Sequence, residues 1–233
     1  MDDVMQVLRN LDWSPLMISL KTGVVATVVC FFLGLFAARQ VLKLGGKARA
    51  IIDGILTLPM VLPPTVAGFF LLLIFSLRRP FGTFLFHQMG IKVVQTWRGC
   101  ILAASVIAFP LMYRNARAAF EQVDVNLIYA GRTLGMSEME IFWKVVVPTA
   151  GPGIASGTIL TFARALGEYG ATSMLAGNIA GKTGTISQKI ATAISQNGDY
   201  LTAGIWVVIV MLIAFGIVVL MNLVTGGKNR RQW

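Results

Sequence analysis

Residues 124–148 read DVNLIYAGRTLGMSEMEIFWKVVVP, a polar interval set between two strongly apolar regions. Asp124 has the side chain to cap a helix by accepting the unpaired amides of a first turn, and Leu127, Ile128 and Leu134 give that helix an apolar side. Gly135 suits the left-handed conformation that ends a helix. Ser137, with Glu140 three residues on, reads as a capping box that opens a second helix carrying Ile141, Phe142 and Trp143. The stretch therefore predicts a helix, a glycine corner and another helix, built to face a soluble partner.

Working outward, the chain of 233 residues is 56% hydrophobic and 13% charged, too apolar for a soluble domain. Its net charge of +10 lies mostly at the edges of apolar runs rather than in one patch, which fits membrane topology and excludes a nucleic-acid surface. Cys30 and Cys100 sit inside apolar runs and His87 is the single imidazole, so neither a disulfide framework nor a metal site is expected. Asp2, Asp3 and Asp12 stand against Arg9 at the start, the wrong charge for the basic region of a signal peptide. The first apolar run is therefore expected to stay as a membrane span.

At ~1.5 Å per residue, about 20 residues cross ~30 Å of hydrocarbon. Five runs qualify, at 15–38, 51–77, 99–121, 149–172 and 200–226, and predict an all-α integral membrane protein. Residues 1–14 would be an external segment, 15–227 the transmembrane domain with a cytoplasmic loop at 122–148, and 228–233 a basic cytoplasmic tail. This arrangement places eleven Lys and Arg residues inside against seven outside, so the positive-inside rule puts the N-terminus outside and the C-terminus in the cytoplasm. In the third run Arg114 and Arg117 read as interfacial anchors with snorkelling stems. Residues 78–98 would lie outside, with a short interfacial helix.

The loop pattern resembles the cytoplasmic coupling loop of type I binding-protein-dependent ABC importer permeases: a Glu-Ala-Ala triplet, a Gly four residues later, then apolar-x-apolar-Pro. Here the triplet positions are Tyr129, Ala130 and Gly131, two of which depart from the pattern, while Gly135 and the ending Val145, Val147 and Pro148 keep it. LPMVLPPTVAGF at 58–69 and FARALGEYGAT at 162–172 resemble the molybdate permeases of that family in particular. The resemblance implies the five-helix type I permease fold with short coupling helices, in the bacterial inner membrane. It implies import of molybdate driven by ATP, with Tyr129, Ala130, Gly131, Gly135, Ile141 and Pro148 in the loop that meets the ATPase. A second copy of the permease would complete the pathway, two separate ATPase subunits would hold ATP and Mg, and an external substrate-binding protein would deliver the anion. No cofactor is expected on this chain. Independently, the chain lacks a phosphate loop, since the Gly-Lys-Thr at Gly181 has no upstream glycine at the required spacing, so the energy must come from a partner. The alternatives are a permease for tungstate or sulfate, a non-ABC transporter, or a membrane enzyme, which would need convergent nucleophiles and acids.

The pathway is expected along the runs at 51–77 and 149–172. The first holds Pro59, Pro63 and Pro64, which remove backbone donors, and irregular backbone at membrane depth is tolerated where it packs on protein or lines a wet cavity. The second is dense in glycine and alanine and carries Arg164 and Glu168 four apart on one helical face, where a mutual ion pair is expected. The expected pathway or gate residues are Thr57, Pro63, Pro64, Thr65, Arg164, Glu168, Thr172 and Ser173, hydroxyls and freed amides that bind an oxyanion loosely. Hydroxyls returned to their own helix are the competing reading.

Overall fold

Helix is the only regular structure in the computed structural model, which describes residues 2–196 and 198–226. The chain runs through α1 (Asp2–Arg9), α2 (Ser14–Leu42), α3 (Gly46–Val61), α4 (Pro64–Phe75), α5 (Pro80–Met89) and α6 (Trp97–Glu121). Then come α7 (Val125–Thr133), α8 (Glu138–Ile141), a π-helical turn (Phe142–Val146), α9 (Val147–Thr149), α10 (Gly151–Leu166), α11 (Gly170–Ala176), α12 (Ile186–Ser195) and α13 (Tyr200–Gly226). Three helices, α2, α6 and α13, are long and apolar enough to cross a membrane, and the number reaches five if each of two bent pairs counts as one span.

Side-chain register decides how the bent pairs are to be counted. Trp97 Nε1 donates to Thr22 Oγ1 at 2.9 Å, Cys30 Sγ donates to the Ser105 carbonyl at 3.3 Å, and a Cβ on Gly34 would come within 2.7 Å of Met112 Cγ. Numbers rise together along α2 and α6, so the two helices are parallel and start on the same side. The chain must return between them, which is the work of α3 and α4. Helix α10 is antiparallel to α6, because Gly153 meets Ala119 and Gly157 meets Asn115. Trp13, just before α2, packs edge-on against Trp206 near the start of α13, at 6.0 Å between centroids, so α13 also begins on that side. One face therefore gathers the starts of α2, α6 and α13, and the other gathers the ends of α2 and α6 with α7 to α9.

The inner packing of α2, α6 and α10 is made by small residues. Gly23 lies against Phe162, Gly153 against Ala119 and Gly157 against Asn115, and Ala26, Ala38, Ala104, Ala108, Ala116 and Ala165 fill the same cluster. Lipid tails are as apolar as the helices, so association here depends on such close backbone approach rather than on a hydrophobic drive. Inserting methylenes at Gly157, where a Cβ would already sit 2.6 Å from Asn115 Cβ, typically costs ~1–3 kcal/mol.

Two expected spans differ in form. The run 51–77 is not one kinked helix but two, α3 and α4, bent by 108°. The cause is local: a proline drives the preceding residue out of the helical region, and Pro63 and Pro64 in succession hold Leu62 at ψ 141° and Pro63 at ψ 134°. Pro64 is then tolerated in the first turn of α4, while Pro59 stays inside α3. The run 149–172 likewise does not hold one helix. It bends by 73° between Glu138–Thr149 and Gly151–Leu166, between Pro148 and Pro152, and stops at Leu166 before resuming as α11. The segment 1–14 contains helix α1, whose Val7, with Leu11 just beyond its end, packs into the cluster around Trp206. The tail 228–233 lies outside the described residues.

Candidate functional site

The loop at 124–148 folds from its own sequence signals. Asp124 Oδ1 accepts the Asn126 amide at 2.9 Å and opens α7. Gly135, at φ +75°, turns the chain, with its N–H on the Arg132 carbonyl and the Met136 N–H on the Gly131 carbonyl. Ser137 and Glu140 form the capping box: the Glu140 amide donates to Ser137 Oγ at 3.2 Å and the Ser137 amide to Glu140 Oε2 at 3.0 Å. Lys144 Nζ adds a 2.9 Å pair to Glu140 Oε1. With Lys144 first and the Ser137 bonds next, the Glu140 carboxyl is pulled down to about 2. Arg132, 2.7 Å from Glu138 Oε1, likewise lowers the Glu138 carboxyl.

The loop is fixed to the bundle beneath it. Ile141 is buried and leaves no room above Gly131, whose added Cβ would come 3.0 Å from Ile141 Cγ1. That close contact favours glycine at the third triplet position, since a Cβ there would need Ile141 to give way by a few tenths of an ångström. Phe142 packs edge-on to Phe120 at 5.5 Å, and the Arg39 guanidinium lies 4.2 Å from the Phe142 ring centre while Arg39 Nη2 donates to the Glu138 carbonyl at 3.4 Å. The outward side keeps Leu127, Tyr129, Leu134, Met139 and Trp143 exposed, an apolar set rimmed by charge, the composition of a partner surface. Pro148, the last of the pattern residues, lies in α9 beside the bend.

The two helix breaks meet. A Cβ on Gly170 would lie 3.1 Å from Pro64 Cβ and 3.2 Å from the Thr65 amide nitrogen, and one on Gly68 would lie 2.6 Å from Ala171 Cα. Helices α4 and α11 thus start side by side and run parallel, with Pro63, Thr65 and Tyr169 left exposed at their mouths. Arg164 Nη1 donates to Glu168 Oε2 at 2.8 Å, and Glu168 Oε1 accepts the Ala171 amide at 2.8 Å. Glu168 is only 2% exposed, so the carboxylate is buried but doubly satisfied.

Of the expected pathway residues, the structure brings Pro63, Pro64, Thr65, Arg164 and Glu168 to this junction. Thr57 is separate, its hydroxyl returned to the Asp53 carbonyl of its own helix at 2.7 Å. Thr172 is 1% exposed, packed inside the chain, and Ser173 Oγ accepts from Gln188 Nε2 at 3.0 Å. Gly68 and Gly170 were missed by sequence reasoning, since a glycine matters here only through a neighbour over a hundred residues away. Arg117, read as an interfacial anchor, is instead ion-paired to Asp53. Among the described residues no group of His, Cys, Asp and Glu side chains is arranged to hold a metal ion.

Comparison with known proteins adds three findings. Residues 31–225 match the family model described as binding-protein-dependent transport system inner membrane component. The molybdenum transport system permease protein of Escherichia coli K12 is 40% identical over 82% of this chain and 84% of its own length, and that of Haemophilus influenzae is 35% identical over 79% and 81%. The sulfate transport system permease protein of Salmonella typhimurium is 34% identical over 80% of this chain and 66% of its own. Among solved structures, a bacterial ABC transporter involved in alginate import has a chain that superposes with a TM-score of 0.76 at 15% identity, covering 99% of this chain and 84% of that one. An amino acid ABC transporter gives 0.67 at 18% identity, covering 95% of each.

Proposed function

We propose, because the chain belongs to the family of binding-protein-dependent transport system inner membrane components, that it carries molybdate across the inner membrane as the permease subunit of an ATP-driven importer. The observation that carries the substrate is the 40% identity to the Escherichia coli molybdenum permease over 82% of this chain and 84% of that one. The loop of α7 and α8 is the surface for the ATPase subunit, which supplies the ATP and Mg site. It is supported by the exposed Leu127, Tyr129, Leu134 and Trp143, an apolar face that fits a groove on a partner.

The anion passes the junction of α4 and α11. Thr65, exposed at the opening of α4, offers a neutral hydroxyl there, and Glu168 neutralises Arg164, so the described side chains at this junction leave no unpaired charge to trap a dianion. A second copy lies across the exposed α3 and α13, and an external binding protein loads the face that holds α5 and α12. The side bearing the docking loop is cytoplasmic and the starts of α2, α6 and α13 are outside, as the Lys and Arg distribution supports.

Uptake of labelled molybdate by cells lacking their own permease, complemented with this chain, its ATPase and its binding protein, tests the reading. ATP-dependent accumulation that excess sulfate leaves intact is the expected result. The sulfate permease relatives at 34% identity supply the second reading, and accumulation of sulfate with none of molybdate would establish it instead.

A further inference from the structure

Helix α3 forms one arm of the first break, yet it buries none of its 16 residues. Apart from Leu56, half-buried against the core formed by α2, α6 and α10, its lateral attachment is polar. Tyr113 Oη donates to Asp53 Oδ1 at 2.7 Å, Arg117 pairs with the same carboxylate, and Arg117 Nε lies 3.2 Å from Glu121 Oε1, which also pairs with Arg49. Arg49 and Asp53 are one turn apart on α3, and Tyr113, Arg117 and Glu121 follow one another at four-residue steps on α6. The cluster is neutral, two cations against two carboxylates, and its side chains are 22–41% exposed. Charges so placed are held by each other rather than by water.

The place of this cluster in the chain matters as much as its bonds. Glu121 ends α6, and only Gln122 and Val123 separate it from Asp124, the cap of the docking helix α7. On the other side, the nine residues from Asp53 to Val61 form a helical arm of ~14 Å that ends at the break packed on Gly170. One end of the joint is thus the root of the docking loop and the other steers the mouth of the pathway. Tyr113, fully buried among α2, α6 and α10, gives the joint a fixed anchor.

We infer that Asp53, Tyr113 and Arg117 are positioning residues that pass movement of the docking loop to α3, and so set how tightly ATP hydrolysis is tied to transport. The inference rests on the importer reading above. Its physical content is a two-position element, α3 against α6, whose equilibrium the bound ATPase biases at one end and the pathway feels at the other. Weak apolar packing of α3 makes the polar joint decide its position.

The test uses the complete transporter in proteoliposomes, with its ATPase subunits and binding protein, and reads ATP hydrolysed per molybdate imported. Asp53→Asn and Arg117→Gln should each raise that ratio about tenfold, the size of an ordinary coupling energy, while assembling in normal amount. The reversed pair, Asp53→Arg with Arg117→Asp, should bring it back toward the wild-type value. Tyr113→Phe keeps the ring packing and removes only the bond to Asp53, so a raised ratio in that variant supports the joint even where the charge variants fail to assemble. An unchanged ratio in assembled variants, or hydrolysis and uptake falling in step with the amount of complex, overturns the inference alone. A wild-type complex that imports no oxyanion at all overturns the importer reading, and this inference with it.

Discussion

Gly135 is the residue on which the docking loop turns, and its φ of +75° lies where side chains with a Cβ are strained. Nothing stands within 4 Å of the place a Cβ would take, so the only penalty for substitution is the backbone itself, about 1–3 kcal/mol for a β-branched residue. Gly135→Val should therefore insert normally and lose most uptake, whereas Gly135→Asn, whose side chain tolerates the left-handed region, should keep much of it. Equal uptake by the two would remove the corner from the mechanism. Glu140 makes a second prediction at this scale. Its carboxyl is lowered from 4.5 to about 2, so the cap and the Lys144 pair are fully present above pH 4.5 and are lost as the pH falls through about 2. The Ser137 amide shift, followed by NMR, should titrate with a midpoint near 2, and a midpoint near 4.5 would show the box open in solution. These residues were legible because capping and turning are local chemistry. Gly131 was legible only as a position in a pattern, since its reason, the Ile141 side chain above it, comes from the fold.

At the scale of elements, the break at Pro63 and Pro64 is the outcome that composition announced without describing, whereas the break in 149–172 was not expected from sequence at all. Pro63 and Pro64 pointed to disturbed backbone, but proline chemistry alone does not say whether a helix kinks or turns by 108°, because that depends on what α4 packs against. Gly68 and Gly170 supply the answer by letting α4 and α11 lie in backbone contact. Removing one proline leaves the other to hold its predecessor extended, so Pro63→Ala alone should change little. The double variant Pro63→Ala, Pro64→Ala frees Leu62 to continue α3, and uptake should fall at least about tenfold, ~1.4 kcal/mol in the barrier, at normal expression. Normal uptake in the double variant would show that the break is dispensable. The hydroxyls fared differently from the prolines. Thr57 and Thr172 resembled pathway donors in sequence, yet one bonds its own helix and the other is packed away, because which face of a broken span meets the bundle cannot be read from periodicity across the break.

For the whole molecule, the parallel starts of α2 and α6 fix how the chain threads, and the proposed orientation rests on the Lys and Arg pattern. Both described thiols, Cys30 and Cys100, are buried, so single cysteines introduced at Thr83, Gly181 and Lys47 can be read without background. An impermeant reagent applied to intact cells should label the first two and spare the third. Labelling at Lys47 would invert the orientation. The long apolar helices and the capped turns of residues 124–141 were legible because apolar length and capping signals are continuous in sequence, whereas the joint between α3 and α6 was not, its members Asp53 and Arg117 lying 64 residues apart. That separation also has a consequence in time. On a ribosome adding ~5–20 residues per second, Asp53 is made about 3–13 s before Arg117 exists to meet it. Through that interval the carboxylate of α3 lies near the edge of its apolar run without the Arg117 guanidinium that neutralises it in the folded chain. The joint between α3 and α6 therefore closes only after α6 has been made, and α3 takes its final place late in synthesis.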